Sequence, residues 1–192
     1  MPTAIILIGS PRKGGNTDLL ADAFLEGVRE AGGEGEKIFV DDVNIHPIGP
    51  VGDVMAERVD VHAADDFLPT LERVLAADIL VFGTPVYWQG LPAQLKAFVD
   101  RWSCYYLNPM LLDGMRGKVF AALVPHGAPD PDHHKWVTDP IQVWAAHFEA
   151  PWAGCVSVAA QKQGLVATMP EVLQEARELG RKCVKMAGGA AL

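Results

Sequence analysis

Short apolar runs alternate with longer amphipathic segments along most of this chain, and this alternation restricts the fold more than any other feature. The first run, Ala4 to Ile8, is continuously apolar, which is typical of a strand buried on both faces. Similar runs occupy residues 37–40, 78–83, 118–124 and 155–159. Strands that alternate with helices form a parallel sheet with helices on both faces. The pattern therefore predicts an α/β fold in which residues 1–192 form a single doubly wound domain of five strands.

The segments between these runs have helical periodicity and recognisable ends. One helix is expected to begin at Asn16 or Thr17, and another is expected over Phe67 to Ala76. A third helix should follow Pro92, which suits a first helical turn. A fourth helix contains Trp136 and Phe148, and Pro140 favours a break within it. The sequence Thr168-Met169-Pro170-Glu171 predicts a capping box at the start of the last helix. Doubly wound sheets have two common strand orders, and the shorter one, the flavodoxin-like order 2-1-3-4-5, suits five strands.

Charge and hydropathy exclude several classes of function. The formal net charge is -8 and the pI is about 5.1, which argues against a nucleic-acid-binding protein and against docking on an anionic membrane. No apolar stretch approaches a membrane span, and the N-terminus lacks the basic segment of a signal peptide. The cysteines at 104, 155 and 183 are widely spaced, which is typical of reduced thiols. We therefore expect a cytoplasmic protein.

The loop after the first strand combines glycines with polar and basic side chains. Residues 9–17 lead into the first predicted helix, whose N-terminal N–H groups and dipole attract anions. Ser10, Asn16 and Thr17 add side-chain donors, and Arg12 and Lys13 add positive charge. These features predict a site for a phosphate monoester; the alternative is an ordinary turn before a helix.

Two familiar phosphate-binding motifs do not match this loop. The Walker motif requires Gly-Lys-Ser/Thr, but Gly15 follows Gly14. The dinucleotide fingerprint requires a second glycine where Pro11 stands. Both departures disfavour an NTPase and a dinucleotide-binding fold.

A second loop, at residues 83–92, follows the third strand. In the order 2-1-3-4-5 the chain reverses direction between strands one and three, and ligands bind in the crevice at that point. Tyr87 and Trp88 beside a phosphate site suit a planar aromatic ligand. Alternatively, Trp88 fills an edge of the core.

The residues of these two loops resemble the NAD(P)H-dependent FMN reductases, and in particular the flavodoxin-like iron–sulfur flavoproteins and their cluster-free relatives. The resemblance lies in Gly9-Ser10-Pro11-Arg12-x-x-x-Asn16-Thr17 and in Thr84-Pro85-Val86-Tyr87-Trp88 followed by Pro92, Gln94-Leu95-Lys96, Phe98 and Asp100-Arg101. It implies that FMN phosphate binds at Ser10, Arg12, Asn16 and Thr17. It also implies that Pro85, Val86, Tyr87 and Trp88 line the isoalloxazine and that His126 and Gly127 close its other edge.

One departure concerns the iron–sulfur cluster. The iron–sulfur members carry closely spaced cysteines between the second strand and the next helix, whereas residues 41–66 contain no cysteine. Because a cluster needs thiolate ligands, we expect none here, and no other metal.

The resemblance also implies an activity. FMN would take a hydride at N5 from NADH or NADPH and pass electrons to a small-molecule acceptor such as a quinone, flavin, nitro or azo compound, without a catalytic side chain. Two alternatives are an FMN electron-transfer module without nicotinamide turnover and a scaffold protein that has lost its flavin. Residues 41–66 and 103–117 could form the walls of a site for a second substrate. Such a site would favour an enzyme over an electron-transfer module.

Three remaining features lie outside these motifs. His133 and His134 could bind a metal such as zinc, but solvated loop residues are expected. The acidic stretch containing Asp53, Glu57, Asp60, Asp65 and Asp66 is expected to be a solvated face. Large aromatic residues near the predicted site favour a homodimer or a dimer of dimers, the alternative being that they fill the core: Trp88, Trp102, Tyr105, Tyr106, Trp136 and Trp144.

Overall fold

Five parallel strands form one sheet at the centre of the molecule. The computed structural model describes residues 1–49, 60 and 62–189. The strands are β1 (Thr3–Ile8), β2 (Glu34–Phe39), β3 (Ile79–Gly83), β4 (Val119–His126) and β5 (Trp152–Ala159), in the order β2-β1-β3-β4-β5. Every adjacent pair is parallel, with Ala4 opposite Gly35 on one side and Ile79 on the other. The predicted flavodoxin-like fold is confirmed.

Helices cover both faces of the sheet. They are α1 (Asn16–Glu30), α2 (Phe67–Ala76), α3 (Ala93–Arg101), α4 (Pro109–Met115), α5 (Lys135–His147) and α6 (Pro170–Gly189), with short 3-10 turns at Trp102–Tyr105 and Leu165–Thr168. Alternate residues of β1 point to opposite faces, so Leu7 packs in the core beneath α2, α3 and α5, and Ile6 packs beneath α1 and α6. The central strands β1, β3 and β4 are buried almost throughout, as their continuous apolar sequence predicts.

Helices α1 and α6 approach each other closely because glycines face each other at their crossing. A Cβ atom on Gly27 would lie 2.0 Å from the carbonyl oxygen of Arg177, and one on Gly180 would lie 2.2 Å from that of Phe24. The side chain of Arg177 is then placed to bind Glu26 at 2.6 Å.

Some boundaries differ from the predicted ones. Strand β2 begins at Glu34 and β5 at Trp152, because pairing with β1 and β4 extends strands whose own sequence is partly polar. Helix α5 continues through Pro140, which is exposed, so water can satisfy the carbonyl that this proline leaves unpaired. The predicted capping box is wrong: Thr168 belongs to a 3-10 turn and donates to the carbonyl of Leu165 at 2.8 Å.

The predicted solvated acidic face is also partly wrong. The guanidinium of Arg101, the last residue of α3, is fully buried and binds Asp65 at 2.7 Å and Asp60 at 2.6 Å. It also donates to the carbonyl of His46 at 3.1 Å and lies 4.5 Å from the ring centre of Phe67. Asp60 and Asp65 therefore pair with the end of α3 instead of facing solvent; Asp53 and Glu57 lie outside the described residues.

The network around Arg101 changes the acidity of its partners. Burial disfavours the charged form of Asp65, but hydrogen bonds from Arg101 and from the backbone N–H groups of His46 and Phe67 outweigh it and lower the pKa of Asp65 to about 2. Burial and the hydrogen bond to Asp60 raise the pKa of Tyr105 to about 12. Both side chains thus keep one charge state through neutral pH.

Across the part of the chain that the structure describes, no helix is long and apolar enough to cross a membrane.

Candidate functional site

The candidate site lies at the carboxyl ends of the strands, where the sheet order reverses between β1 and β3. The N–H of Gly9 donates to the carbonyl of Gly83 at 2.8 Å, so the two loops leave the sheet side by side. The N–H of Ala160 donates to the carbonyl of His126 at 2.7 Å, which holds the ends of β4 and β5 together in the same way. Four chain segments therefore meet at one edge.

A cavity of about 260 Å³ lies between these segments, and its walls contain nine of the ten predicted site residues. The tenth, Trp88, does not line it. The lining consists of Ser10, Arg12, Gly15, Asn16, Thr17, Pro85, Val86, Tyr87, Pro125, His126, Gly127, Ala160, Gln161 and Gln163. A larger cavity of about 870 Å³ lies near the amino ends of β1 and β2, but none of the motif residues reaches it.

The first loop presents backbone donors to this cavity. Gly14 has a left-handed φ of +70°, and a Cβ atom on Gly15 would lie 2.8 Å from the carbonyl oxygen of Arg12, so both positions favour glycine. Helix α1 begins directly after Gly15, which replaces the predicted Asn16 or Thr17 as the N-cap. Among the described residues, the N–H groups of Asn16 and Thr17 have no intramolecular acceptor. Unpaired N–H groups at the positive end of a helix dipole attract anions, so this end of α1 suits a negatively charged ligand.

The side chain of Asn16 has a different role from the one expected. Its amide nitrogen donates to the carbonyls of Ala160 at 3.0 Å and Lys162 at 2.8 Å, and its oxygen accepts from the N–H of Val166 at 3.2 Å. Both amide hydrogens are used, so Asn16 offers a ligand its backbone N–H rather than a side-chain donor. It positions the start of α1 against the segment after β5.

Among the charged residues around this loop, Asp18 and Lys13 form ion pairs, whereas Arg12 lines the cavity. The carboxylate of Asp18 accepts from the N–H of Gly14 at 2.7 Å and pairs with Lys37 at 2.5 Å, so its negative charge is compensated. Lys13 pairs with Asp42 at 2.8 Å and does not line the cavity. Arg12 does line it. Of the two basic residues predicted to attract phosphate, Arg12 is therefore the one positioned to do so.

The second loop contains a tight turn at its tip. Tyr87 and Gly90 exchange two backbone hydrogen bonds, at 3.0 and 3.1 Å, across Trp88 and Gln89, whose φ angles are +48° and +55°. This turn leaves Trp88 96% exposed, so it neither fills the core nor lines the cavity. Pro85, Val86 and Tyr87 form the wall on this side.

His126 closes the cavity at the end of β4. Its residue surface is 5% exposed, and its Nδ1 lies 3.0 Å from the carbonyl oxygen of Ala128. Burial lowers the pKa of His126, assisted by the neighbouring His133 and His134 and opposed by the hydrogen bond to Ala128. The side-chain amide of Gln161 donates to the carbonyl of Gly127 at 2.8 Å and fixes the next residue.

The large aromatic residues divide between core and surface, and the three cysteines are buried or half-buried. Trp102 is buried, with its ring centre 5.9 Å from that of Trp144, so it belongs to the core rather than to an exposed cluster. Burial raises the pKa of Cys155 and of Cys183 to about 12, as expected of unreactive thiols. Within residues 1–49, 60 and 62–189, no group of three or more His, Cys, Asp or Glu side chains could hold a metal ion.

Sequence reasoning missed five lining residues: Gly15, Pro125, Ala160, Gln161 and Gln163. Three of them, Ala160, Gln161 and Gln163, follow β5. They could have been predicted from the strand order, because it places the end of β5 beside the end of β4 and therefore beside the same cavity.

Comparison with known proteins gives a family and several relatives. Residues 2–180 match the family described as NADPH-dependent FMN reductase. A Bacillus subtilis relative, provisionally named an NAD(P)H-dependent FMN-containing oxidoreductase, is 35% identical over 109 residues, which are 56% of this chain and 56% of the relative. An iron–sulfur flavoprotein of Methanosarcina thermophila is 37% identical over 93 residues, 48% of each chain. The chain thus spans about half the length of the curated relatives it matches.

A solved structure shows the same architecture over almost the whole chain. The Trp repressor binding protein from Bacillus subtilis has a TM-score of 0.71 and 26% identity, and the match covers 92% of this chain and 99% of that protein.

Proposed function

Because this chain belongs to the NADPH-dependent FMN reductase family, we propose that it is an FMN-dependent oxidoreductase that takes electrons from NADH or NADPH. The observation that supports this most strongly is the cavity at the strand reversal, which combines unpaired N–H groups of α1 with Arg12 and with the wall formed by Pro85, Val86 and Tyr87. The first set of groups suits a phosphate, and the second suits a flat, largely apolar ring.

The residues present fit FMN. The anion site at the start of α1 would hold its single phosphate, since charge-assisted hydrogen bonds contribute about 1.5–3 kcal/mol each. Gly14 and Gly15 let the backbone approach closely, and Asn16 fixes that backbone to the segment after β5. When bound, FMN supplies the two-electron chemistry between a nicotinamide and an acceptor. The protein binds it, orients it and sets the charge around it.

The acceptor belongs to the proposal as a class rather than as a compound. A quinone, a free flavin, a nitro compound or an azo compound can each take two electrons from reduced FMN. Residues 41–66 contain no cysteine, so electrons would pass directly between FMN and this small molecule without an iron–sulfur cluster.

Anaerobic mixing of the FMN-loaded protein with NADH, and separately with NADPH, tests the proposal. We expect the visible absorbance of the flavin to disappear with at least one nicotinamide and to return when a quinone is added. Dithionite serves as the control, because it reduces any accessible flavin. Reduction by dithionite but by neither nicotinamide would contradict the proposal and favour an electron-transfer module.

A further inference from the structure

His126 stands apart chemically from the other residues that line the candidate cavity. Among the described residues that line the cavity, only Arg12, Tyr87 and His126 carry ionisable side chains. An arginine keeps its charge and a tyrosine keeps its proton at neutral pH, whereas an imidazole exchanges a proton near pH 7. His126 is therefore the lining residue suited to taking up a proton near neutral pH.

The hydrogen bond to Ala128 fixes which nitrogen is free. A carbonyl oxygen can only accept, so the contact of 3.0 Å requires that Nδ1 of His126 carries a hydrogen. In the neutral ring Nε2 then has a lone pair, and it forms no hydrogen bond to another described residue. Burial lowers the pKa of the ring and favours its neutral form, against the opposing effects of the Ala128 hydrogen bond and of Asp130. The ring is thus prepared to accept a proton at Nε2.

We propose that His126 is the proton-accepting residue of this site, neutral while bound FMN is oxidised and protonated at Nε2 when FMN is reduced. This inference rests on the proposed function. Hydride transfer from NAD(P)H would bring two electrons and one proton to bound FMN and would add one negative charge to the site. A second proton comes from solvent to Nε2 and restores the charge. On reoxidation, when two electrons and one proton would pass to the acceptor as a hydride, His126 would release the other proton to the reduced acceptor.

Among the described residues that line the cavity, no side chain other than His126 is an imidazole or a carboxylate. The wall after β5 contributes Ala160, Gln161 and Gln163, which do not titrate. The facing loops contribute Arg12 and Tyr87, and the loop that follows His126 contributes Asp130, His133 and His134. The ring of His133 lies 5.5 Å from that of His126, but His133 does not line the cavity.

The pH dependence of the midpoint potential of bound FMN tests the inference against a structural role. Each proton taken up with a two-electron couple adds about 30 mV per pH unit, because a tenfold change in equilibrium constant corresponds to about 30 mV. In His126→Asn, the side-chain amide can still donate to the Ala128 carbonyl but cannot titrate. We expect the potential of the unmodified protein to fall about 30 mV per pH unit more steeply near pH 7 than that of the variant. Equal slopes would overturn the inference.

Two further measurements complete the test. His133→Asn changes a neighbouring imidazole outside the cavity and should keep the steeper slope; loss of the slope there would overturn the assignment to His126. NMR titration of the His126 ring in the unmodified FMN-loaded protein should show a neutral ring with oxidised FMN and a protonated ring with reduced FMN at pH 7. A ring that stays neutral in both states contradicts the inference. A chain that binds no FMN overturns the proposed function as well, whereas bound FMN with equal slopes overturns this inference alone.

Discussion

Arg101 joins α3 to Asp60 and Asp65, which precede α2, through a buried ion-pair network. Its two carboxylate partners lie 36 and 41 residues earlier in the chain. No local pattern links them, so an acidic run of this kind is indistinguishable from a solvated surface until the fold brings α3 beside it. This is the main reason that the sequence alone did not predict the role of Asp60 and Asp65.

The Arg101→Met variant should lose about 3–5 kcal/mol of unfolding free energy, because it leaves two carboxylates buried without their cation. Urea denaturation measures the loss. Arg116→Met is the matched control, since Arg116 is exposed and its ion pairs with Asp113 and Glu149 contribute less than about 1 kcal/mol. Similar losses in the two variants would show that the buried network contributes no more than a surface pair.

Asn16 also differs from its predicted role, because its side chain binds protein rather than offering a donor to a ligand. Asn16→Ala should therefore lower the unfolding free energy of the FMN-free protein by about 1–3 kcal/mol and weaken FMN binding as α1 loosens. Gln163 lies in the same cavity wall, and its side chain forms no hydrogen bond to another described residue, so Gln163→Ala should leave the stability of the FMN-free protein nearly unchanged. An FMN-free Asn16→Ala protein as stable as the unmodified one would restore the simpler view of Asn16 as a phosphate ligand.

At the scale of elements, local periodicity predicts the central strands well and the edge strands poorly. β1, β3 and β4 are buried on both faces and have continuous apolar sequences. β2 begins with Glu34, Gly35 and Glu36, whose strand conformation comes from pairing with Thr3, Ala4 and Ile5 rather than from their own propensity. The residues of the candidate site that lie at strand ends and in glycine-rich turns could therefore be predicted from the sequence.

The crossing of α1 and α6 depends on the absence of side chains at Gly27 and Gly180. Gly27→Ala and Gly180→Ala should each destabilise the protein by at least about 1–3 kcal/mol, because the new Cβ atom would overlap a backbone carbonyl. Thermal unfolding reports the change. In Gly188→Ala, on the same helix, the new Cβ atom meets no heavy atom within 4 Å, so this variant should be neutral or slightly more stable. A neutral effect at Gly27 would mean that the two helices are further apart than described.

At the scale of the whole molecule, exposed apolar residues continue to favour self-association. Trp136 is 55% exposed and Val143 is 67% exposed, and they lie two turns apart on the same side of α5. Trp88 adds a second exposed aromatic residue beside the candidate site. We predict a homodimer or a dimer of dimers, which light scattering at micromolar concentration measures with and without FMN. A monomer under both conditions would contradict this prediction and would mean that one chain forms the whole substrate site.

We propose that the start of α1 recognises the phosphate of FMN, and the rest of the proposed function depends on this recognition. Equilibrium binding of FMN and of riboflavin to the flavin-free protein tests it most directly, since the two ligands share the ring system and differ by the phosphate. If several charge-assisted hydrogen bonds of about 1.5–3 kcal/mol hold the phosphate, riboflavin should bind at least about 100-fold more weakly than FMN. Equal affinities for FMN and riboflavin would show that the start of α1 does not recognise the phosphate.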